Sequence, residues 1–265
     1  LAVLSGHAKG IIRCSLSANG RIAATISHDG TLRTWETNSG TLLKTQCNAH
    51  MGNPRDCALT ADGRTIFATF SNPENAVVRF DMGARNFFIS WSTACNRQAQ
   101  TCSASNNGDV VAVAVGRDGG DGGIRVMNGV TGQILRVWHC APYPKVAVDG
   151  RGLNILIADD KRLALRSLRS SKKELRNFQG YFGGEHGNCC LSKDGRRVVA
   201  RYRDGDQGTL LFAVWDAEST ALIVLLDGHI GTPNYCAISE NGTKMITTAT
   251  DHTARVWCMD VLDDA

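Results

Sequence analysis

Two stretches of this chain carry a histidine, a threonine, an aspartate and a tryptophan at matching intervals: His7, Thr25, Asp29 and Trp35, then His229, Thr247, Asp251 and Trp257. A hydroxyl, an imidazole and a carboxylate are the parts of a nucleophilic triad, in which the imidazole takes the hydroxyl proton and the carboxylate orients the imidazole. Against catalysis stands the absence of a Gly-x-Ser-x-Gly elbow anywhere in the chain. Ten cysteines could supply thiolate nucleophiles or metal ligands. Neither Cys-x-x-Cys nor His-Glu-x-x-His spacing occurs, so the expectation is free thiols in a reducing cytoplasm or nucleus and no metal site.

Three further stretches invite a chemical reading. Arg117, Asp118, Gly119, Gly120, Asp121, Gly122 and Gly123 could form a phosphate cradle or a calcium loop, but the glycine spacing of a dinucleotide site is missing and no helix pattern follows. We read the stretch as a surface loop joining two strands. Arg166, Arg169, Lys172, Lys173 and Arg176, relieved only by Glu174, are the best hint of an acidic partner and otherwise a solvated connection. Asn241-Gly242-Thr243 is a formal glycosylation sequon that falls in a predicted tight hairpin. No catalytic residue, cofactor site or metal site is assigned.

The elements that position these residues repeat. Cys14, Cys57, Cys102, Val146, Cys189 and Cys236 each sit in a strand-like run, at spacings of 43, 45, 44, 43 and 47. Six residues after each stands a glycine, Gly20, Gly63, Gly108, Gly152, Gly195 and Gly242. In five of the six copies Asn or Asp precedes it, as tight hairpins require. Seven residues before the anchors are His7, His50, Cys95, His139, Phe182 and His229. Six units follow, approximately 1–40, 41–85, 86–132, 133–172, 173–220 and 221–260, in one all-β domain. With 43% hydrophobic and 20% charged residues there is ample core material. A net charge of +4 is too mild to announce nucleic acid. The longest apolar runs, such as Ala221–Leu226, are far short of the ~20 residues that span a bilayer. The chain opens at Leu1 rather than methionine, which leaves room for a longer parent protein carrying other domains.

The first and last copies, running from Thr25 to Trp35 and from Thr247 to Trp257, resemble the WD-repeat family; Trp215-Asp216 is its signature dipeptide and Phe80-Asp81 a variant of it. The resemblance implies a β-propeller of four-stranded antiparallel blades. Six are read here, with seven blades or part of a tandem propeller as alternatives. It implies that His, Thr, Asp and Trp form a buried hydrogen-bonded tetrad instead of a catalytic triad. It also implies that Leu1–Leu4 supplies an outer strand completing the last blade.

The family resemblance further implies a non-catalytic scaffold holding a peptide or protein on the face that carries the tetrad His and Asp, as the C-terminal module of a larger sensor or scaffold protein. Contact positions of the family type are His28, Arg55, Gln98, Asn234 and Thr250. Extra residues between second and third strands add Arg117, Asp118, Asp121, Asp204 and Asp206, because loops on a rigid frame are where recognition resides. One alternative is an enzyme using the central channel. Another is a ubiquitin-ligase substrate receptor, which the family associates with an arginine two residues beyond Trp-Asp; Ala217 and Glu218 follow here.

Overall fold

The computed structural model describes residues 2–47, 53–71, 76–83, 87–94, 98–116, 122–141, 144–159, 162–169, 175–180, 188–203 and 208–259, with backbone alone at 87–94 and 175. The fold is all-β, six antiparallel sheets that are the blades of a six-blade propeller, and no helix occurs among the described residues. Blade 1 is β1 (Ile11–Leu16), β2 (Ile22–Ser27), β3 (Thr31–Glu36) and β4 (Leu42–Cys47). Blade 2 is β5 (Asn53–Leu59), β6 (Thr65–Ser71), β7 (Ala76–Met82) and β8 (Phe87–Ala94). Blade 3 is β9 (Gln98–Ala104), β10 (Val110–Gly116), β11 (Gly122–Asn128) and β12 (Ile134–Cys140). Blade 4 follows with β13 (Lys145–Val148), β14 (Asn154–Ala158), β15 (Leu163–Ser167) and β16 (Leu175–Phe178). Blade 5 holds β17 (Cys189–Leu191), β18 (Arg197–Arg203), β19 (Leu210–Asp216) and β20 (Leu222–Leu226), and blade 6 holds β21 (Pro233–Ile238), β22 (Lys244–Ala249) and β23 (Ala254–Cys258). Blades 1 to 3 form one compact unit, residues 1–142, and blades 4 to 6 a second, residues 143–265.

All six hairpin glycines have positive φ, between 68° and 78°. The preceding Asn or Asp does not, so its contribution is a hydrogen bond rather than a left-handed backbone. Asn19 Oδ1 accepts from the Ser17 hydroxyl and the Arg21 amide, while Ser17 Oγ accepts from the Ile22 amide. The same three bonds recur around Asp62 with Thr60, Asn107 with Ser105, Asp194 with Ser192 and Asn241 with Ser239. In blade 4 Asp149 takes the place of the serine and accepts from the Leu153 amide. Neighbouring turns are also tied together, Ala18 N to Ala61 O and Ala61 N to Asn106 O in the first unit, Gly150 N to Lys193 O and Asp194 N to Glu240 O in the second.

The second strands of blades 1 to 5 are buried along most of their length on both faces, whereas β22 of blade 6 alternates, with Lys244 and Ile246 exposed. In the first unit Ala24, Ile26 and Leu32 of blade 1 pack with Cys57 and Leu59 of blade 2, and Phe67 and Val77 of blade 2 with Cys102 and Ala104 of blade 3. In the second, Leu156 and Leu165 meet Cys189 and Leu191, and Val199 and Val214 meet Cys236 and Met245. Small residues at the anchor position let the blades approach. Five of the six anchors are 5–7% exposed; Cys14 is exposed.

The expected fourth strand of the last blade is not formed among the described residues. The β21–β23 sheet has three strands, and Ala2–Leu4 takes no strand conformation; the Val3 carbonyl lies beside the Gly40 turn of blade 1. So short a segment offers few ladder bonds to offset the entropy of ordering it.

The outer turns use a second left-handed position, held by Gly40 in blade 1, Gly132 in blade 3 and Thr220 in blade 5, at φ 73°, 73° and 63°. A β-branched side chain there crowds its own backbone, which costs about 1–2 kcal/mol for an L-residue. Thr220→Gly should therefore raise the unfolding midpoint, corresponding to a gain of up to about 1 kcal/mol once glycine's extra chain entropy is deducted. A midpoint at or below that of the unaltered protein would show that the threonine is not strained.

Candidate functional site

The two tetrads form as complete hydrogen-bond chains. Trp35 Nε1 donates to Thr25 Oγ1 at 2.8 Å, Thr25 Oγ1 meets His7 Nε2 at 2.8 Å, and His7 Nδ1 meets Asp29 Oδ2 at 2.9 Å. The second chain has the same form, with 2.8, 2.9 and 2.9 Å from Trp257 through Thr247 and His229 to Asp251. The chain crosses the blade: the histidine precedes β1 or β21, the threonine is on β2 or β22, the aspartate is in the following turn and the tryptophan on β3 or β23.

Each set has further members that sequence reasoning missed. Thr31 Oγ1 donates to Asp29 Oδ1 at 2.6 Å and lies 3.2 Å from His7 Nδ1, and Thr253 does the same for Asp251 and His229. Arg33 and Arg255 lie over Gly6 and Gly228, whose φ values are 137° and 146°; a Cβ there would meet the guanidinium at 2.8 or 2.9 Å. The signal was available as the repeated Gly-His, Asp-x-Thr and Thr-x-Arg or Thr-Ala-Arg spacing.

Chemically, this arrangement withdraws the triad from reaction. The threonine hydroxyl is bonded on both sides, by the indole and by the imidazole, and is 3% exposed in blade 1 and 0% in blade 6. Burial works to raise the Asp29 carboxyl, yet hydrogen bonds from Thr31 and His7, with the Ala8 and Thr31 amides, hold it well below the usual carboxylate range. Burial opposes hydrogen bonds in the same way at Asp251, where those from His229 and Thr253 also prevail.

A carboxylate whose folded-state pKa is depressed stabilises the protein above its unfolded pKa, about 4, and loses that contribution as pH falls further. At pH 7 Asp29→Ala should cost about 1–3 kcal/mol by leaving His7 and Thr31 short of an acceptor. In urea unfolding the gap between wild type and Asp29→Asn should narrow as pH drops below about 4. Equal midpoints at pH 7, or a gap independent of pH, would remove the tetrad from the account of stability.

The predicted contact positions lie at the strand ends opposite the Asx-Gly turns. In the first unit the exposed His28 follows β2, and Arg55 and Gln98 open β5 and β9, which are neighbours. Arg55 is half-buried, with Nε donating to Ser71 Oγ at 2.7 Å, and Gln98 Oε1 accepts from Gln100 at 3.3 Å. In the second unit Asn234 is half-buried on β21, while Thr250 Oγ1 accepts the Thr232 amide at 2.8 Å and so closes the entry to β21. Arg117, Asp118, Asp121, Asp204 and Asp206 lie outside the described residues.

The described members of the basic run differ in exposure and partners. Arg166 is half-buried on β15, Arg169 is exposed, and Arg176 reaches the Ala217 carbonyl at 3.2 Å. Lys172 and Lys173 lie outside the described residues.

Two features went unread in the sequence. Asp56, buried on β5, accepts the Cys57 amide and the Cys102 amide at 2.9 and 3.0 Å and lies 3.8 Å from Arg13, tying three inner strands of the first unit together. On the turn side of the second unit a cleft of about 690 Å³ gathers Arg176, Arg196 and Arg197 with Asp194, Asp216 and Glu218. Among the described residues no group of three or more His, Cys, Asp or Glu could hold a metal ion, and no helix is long and apolar enough to cross a membrane.

Comparison with known proteins agrees with this architecture. The family model described as WD domain, G-beta repeat matches residues 1–36 and 220–258, the stretches that carry the two tetrads. The chain is 22% identical over 229 residues to Autophagy-related protein 16 of Arabidopsis thaliana, an alignment that takes in 86% of this chain and 34% of that protein. The chain thus spans about a third of the relative's length. The chain thus carries WD repeats matched by the family model at either end, with blades built on the same turns and anchors between them.

Proposed function

We propose that this chain is a non-catalytic scaffold that captures a peptide or protein partner at the strand ends next to the tetrad His–Asp loops, and that it works as one module of a longer intracellular protein. The observation that carries the reading is the closed bonding of Thr25 and Thr247: the residues most able to do chemistry are held in the frame. WD-repeat propellers are in general scaffolds of this kind, and the likeness to an autophagy-related protein makes autophagy the setting in which we would first seek the partner.

The test is affinity purification of the full-length protein with mass spectrometry, run on wild type, on a variant trimmed only within 117–121, between the paired ends of β10 and β11, and on His28→Glu with Arg55→Glu. The expected result is loss of the same captured protein in both variants, at unchanged melting temperature in the loop variant and with only the small decrease expected from the lost Arg55–Ser71 bond in the other. Capture that survives those changes but is lost with Arg176→Glu and Arg196→Glu would move the binding surface to the cleft on the turn side.

A further inference from the structure

The geometry points to Cys190 and Cys236 as a reversible dithiol–disulfide pair that peroxide closes into a covalent link between blades 5 and 6. The two sulfurs lie 3.3 Å apart, one on β17 and one on β21, within the same compact unit. A disulfide bond is about 2.05 Å long, so closing the gap takes just over about 1 Å of side-chain movement. The junction is held firmly around them: Asn188 Nδ2 and Cys190 Sγ both donate to the Cys236 carbonyl, at 3.0 and 2.8 Å.

The pairing is particular to this junction. The residue after the anchor packs toward the next blade: Ser15 Oγ accepts the Leu59 amide, and Ala58 and Ala147 lie against the core clusters that hold Cys102 and Cys189. Only Cys190 sets a thiol against a thiol at these described junctions. Packing alone would be met by serine or alanine, as the other repeats show, so the second sulfur adds chemistry that the fold does not require.

The two thiols differ in access, which decides the one that meets the oxidant first. Cys190 is partly exposed and accessible to an oxidant, whereas Cys236 is buried. The Cys190 hydrogen bond and burial both push the Cys236 thiol well above its ordinary pKa. The accessible thiol loses its proton and attacks a peroxide oxygen, breaking the O–O bond to give a sulfenic acid and hydroxide, which takes up that proton as the first water. The Cys236 sulfur then attacks the sulfenyl sulfur; the S–O bond breaks, and the departing hydroxide takes the Cys236 proton as a second water. Two thiols and one peroxide become one disulfide and two waters, the sulfurs oxidised and the peroxide reduced. A dithiol reductant reverses the link by thiol–disulfide exchange.

The test treats the folded full chain with one to a few equivalents of hydrogen peroxide and maps it by mass spectrometry without reduction. Cys189→Ser separates the vicinal cysteines, and Cys190→Ala, a residue other repeats carry at this place, is the negative control. The expected result is a 2-Da loss located in a Cys190–Cys236 link, present in wild type and Cys189→Ser and absent in Cys190→Ala. The oxidised wild type should also have a higher urea midpoint than its reduced form, because the link joins residues 46 apart and constrains the unfolded chain. Cys190 ending as a sulfinate with Cys236 still a free thiol, a Cys189–Cys190 link instead, or a link formed only after unfolding would each overturn the proposal.

Discussion

Gly129→Ala should lower the stability of this protein by about 3 kcal/mol or more, the range in which backbone strain and overpacking combine. A Cβ on Gly129 would stand 1.8 Å from the Gly108 carbonyl oxygen and 3.1 Å from the Phe67 ring. Neither neighbour can yield. Gly108 is itself the left-handed turn residue of blade 3, at φ 74°, and Phe67 is fully buried in the blade 2–blade 3 core. The Gly129 amide donates to Asp109 O at 2.7 Å and its carbonyl accepts from Arg79 Nη1 at 2.7 Å, so a displaced turn also loses an inter-blade bond. Gly20→Ala is the comparison. Gly20 has φ 68° with nothing within 4 Å of an added Cβ, and it should cost only about 1 kcal/mol. Urea unfolding of the two variants side by side checks the claim, and equal losses would mean that the close approach at Gly129 is not real.

Trp35→Ala should cost about 3–5 kcal/mol, because a fully buried indole leaves a cavity the blade cannot close. Trp35 is 1% exposed, and its ring lies edge-on to His7 with centroids 6.0 Å apart. Trp35→Phe keeps most of the packing and removes only the N–H that Thr25 accepts, for an expected loss of about 1–2 kcal/mol. Trp257 makes the same hydrogen bond at the same distance from a half-buried position, so Trp257→Ala should cost clearly less than Trp35→Ala. If the two alanine variants unfold alike, the tetrad bonds and not burial set the contribution of these residues.

That last contrast separates what is local from what is not. The repeat, the six hairpin turns, the alternation of the strands and the membership of both tetrads were legible in the chain itself. Each is decided within about 45 residues by turn chemistry and by which side chains face inward, and Asn19-Gly20 or His7 to Asp29 states that chemistry wherever it occurs. In these turns the Asn or Asp accepts hydrogen bonds and leaves the left-handed conformation to the glycine alone.

Only tertiary structure decided how much each copy is covered. Two near-identical tetrads differ in burial, the anchor Cys14 is exposed where five equivalents are buried, and Arg55 and Thr250 each bond within their own blade, to Ser71 and Thr232. The structurally equivalent turn position to Gly129 carries Thr37 in blade 1 and Ala217 in blade 5, so nothing in the repeat marks Gly129 as sterically required. The closeness of Cys190 to Cys236 was equally hidden at a separation of 46 residues. The physical reason is the same throughout: a repeat pattern specifies what a blade offers to its neighbours, whereas burial, close approach and thiol pairing depend on the side chains that those neighbours bring to the shared face.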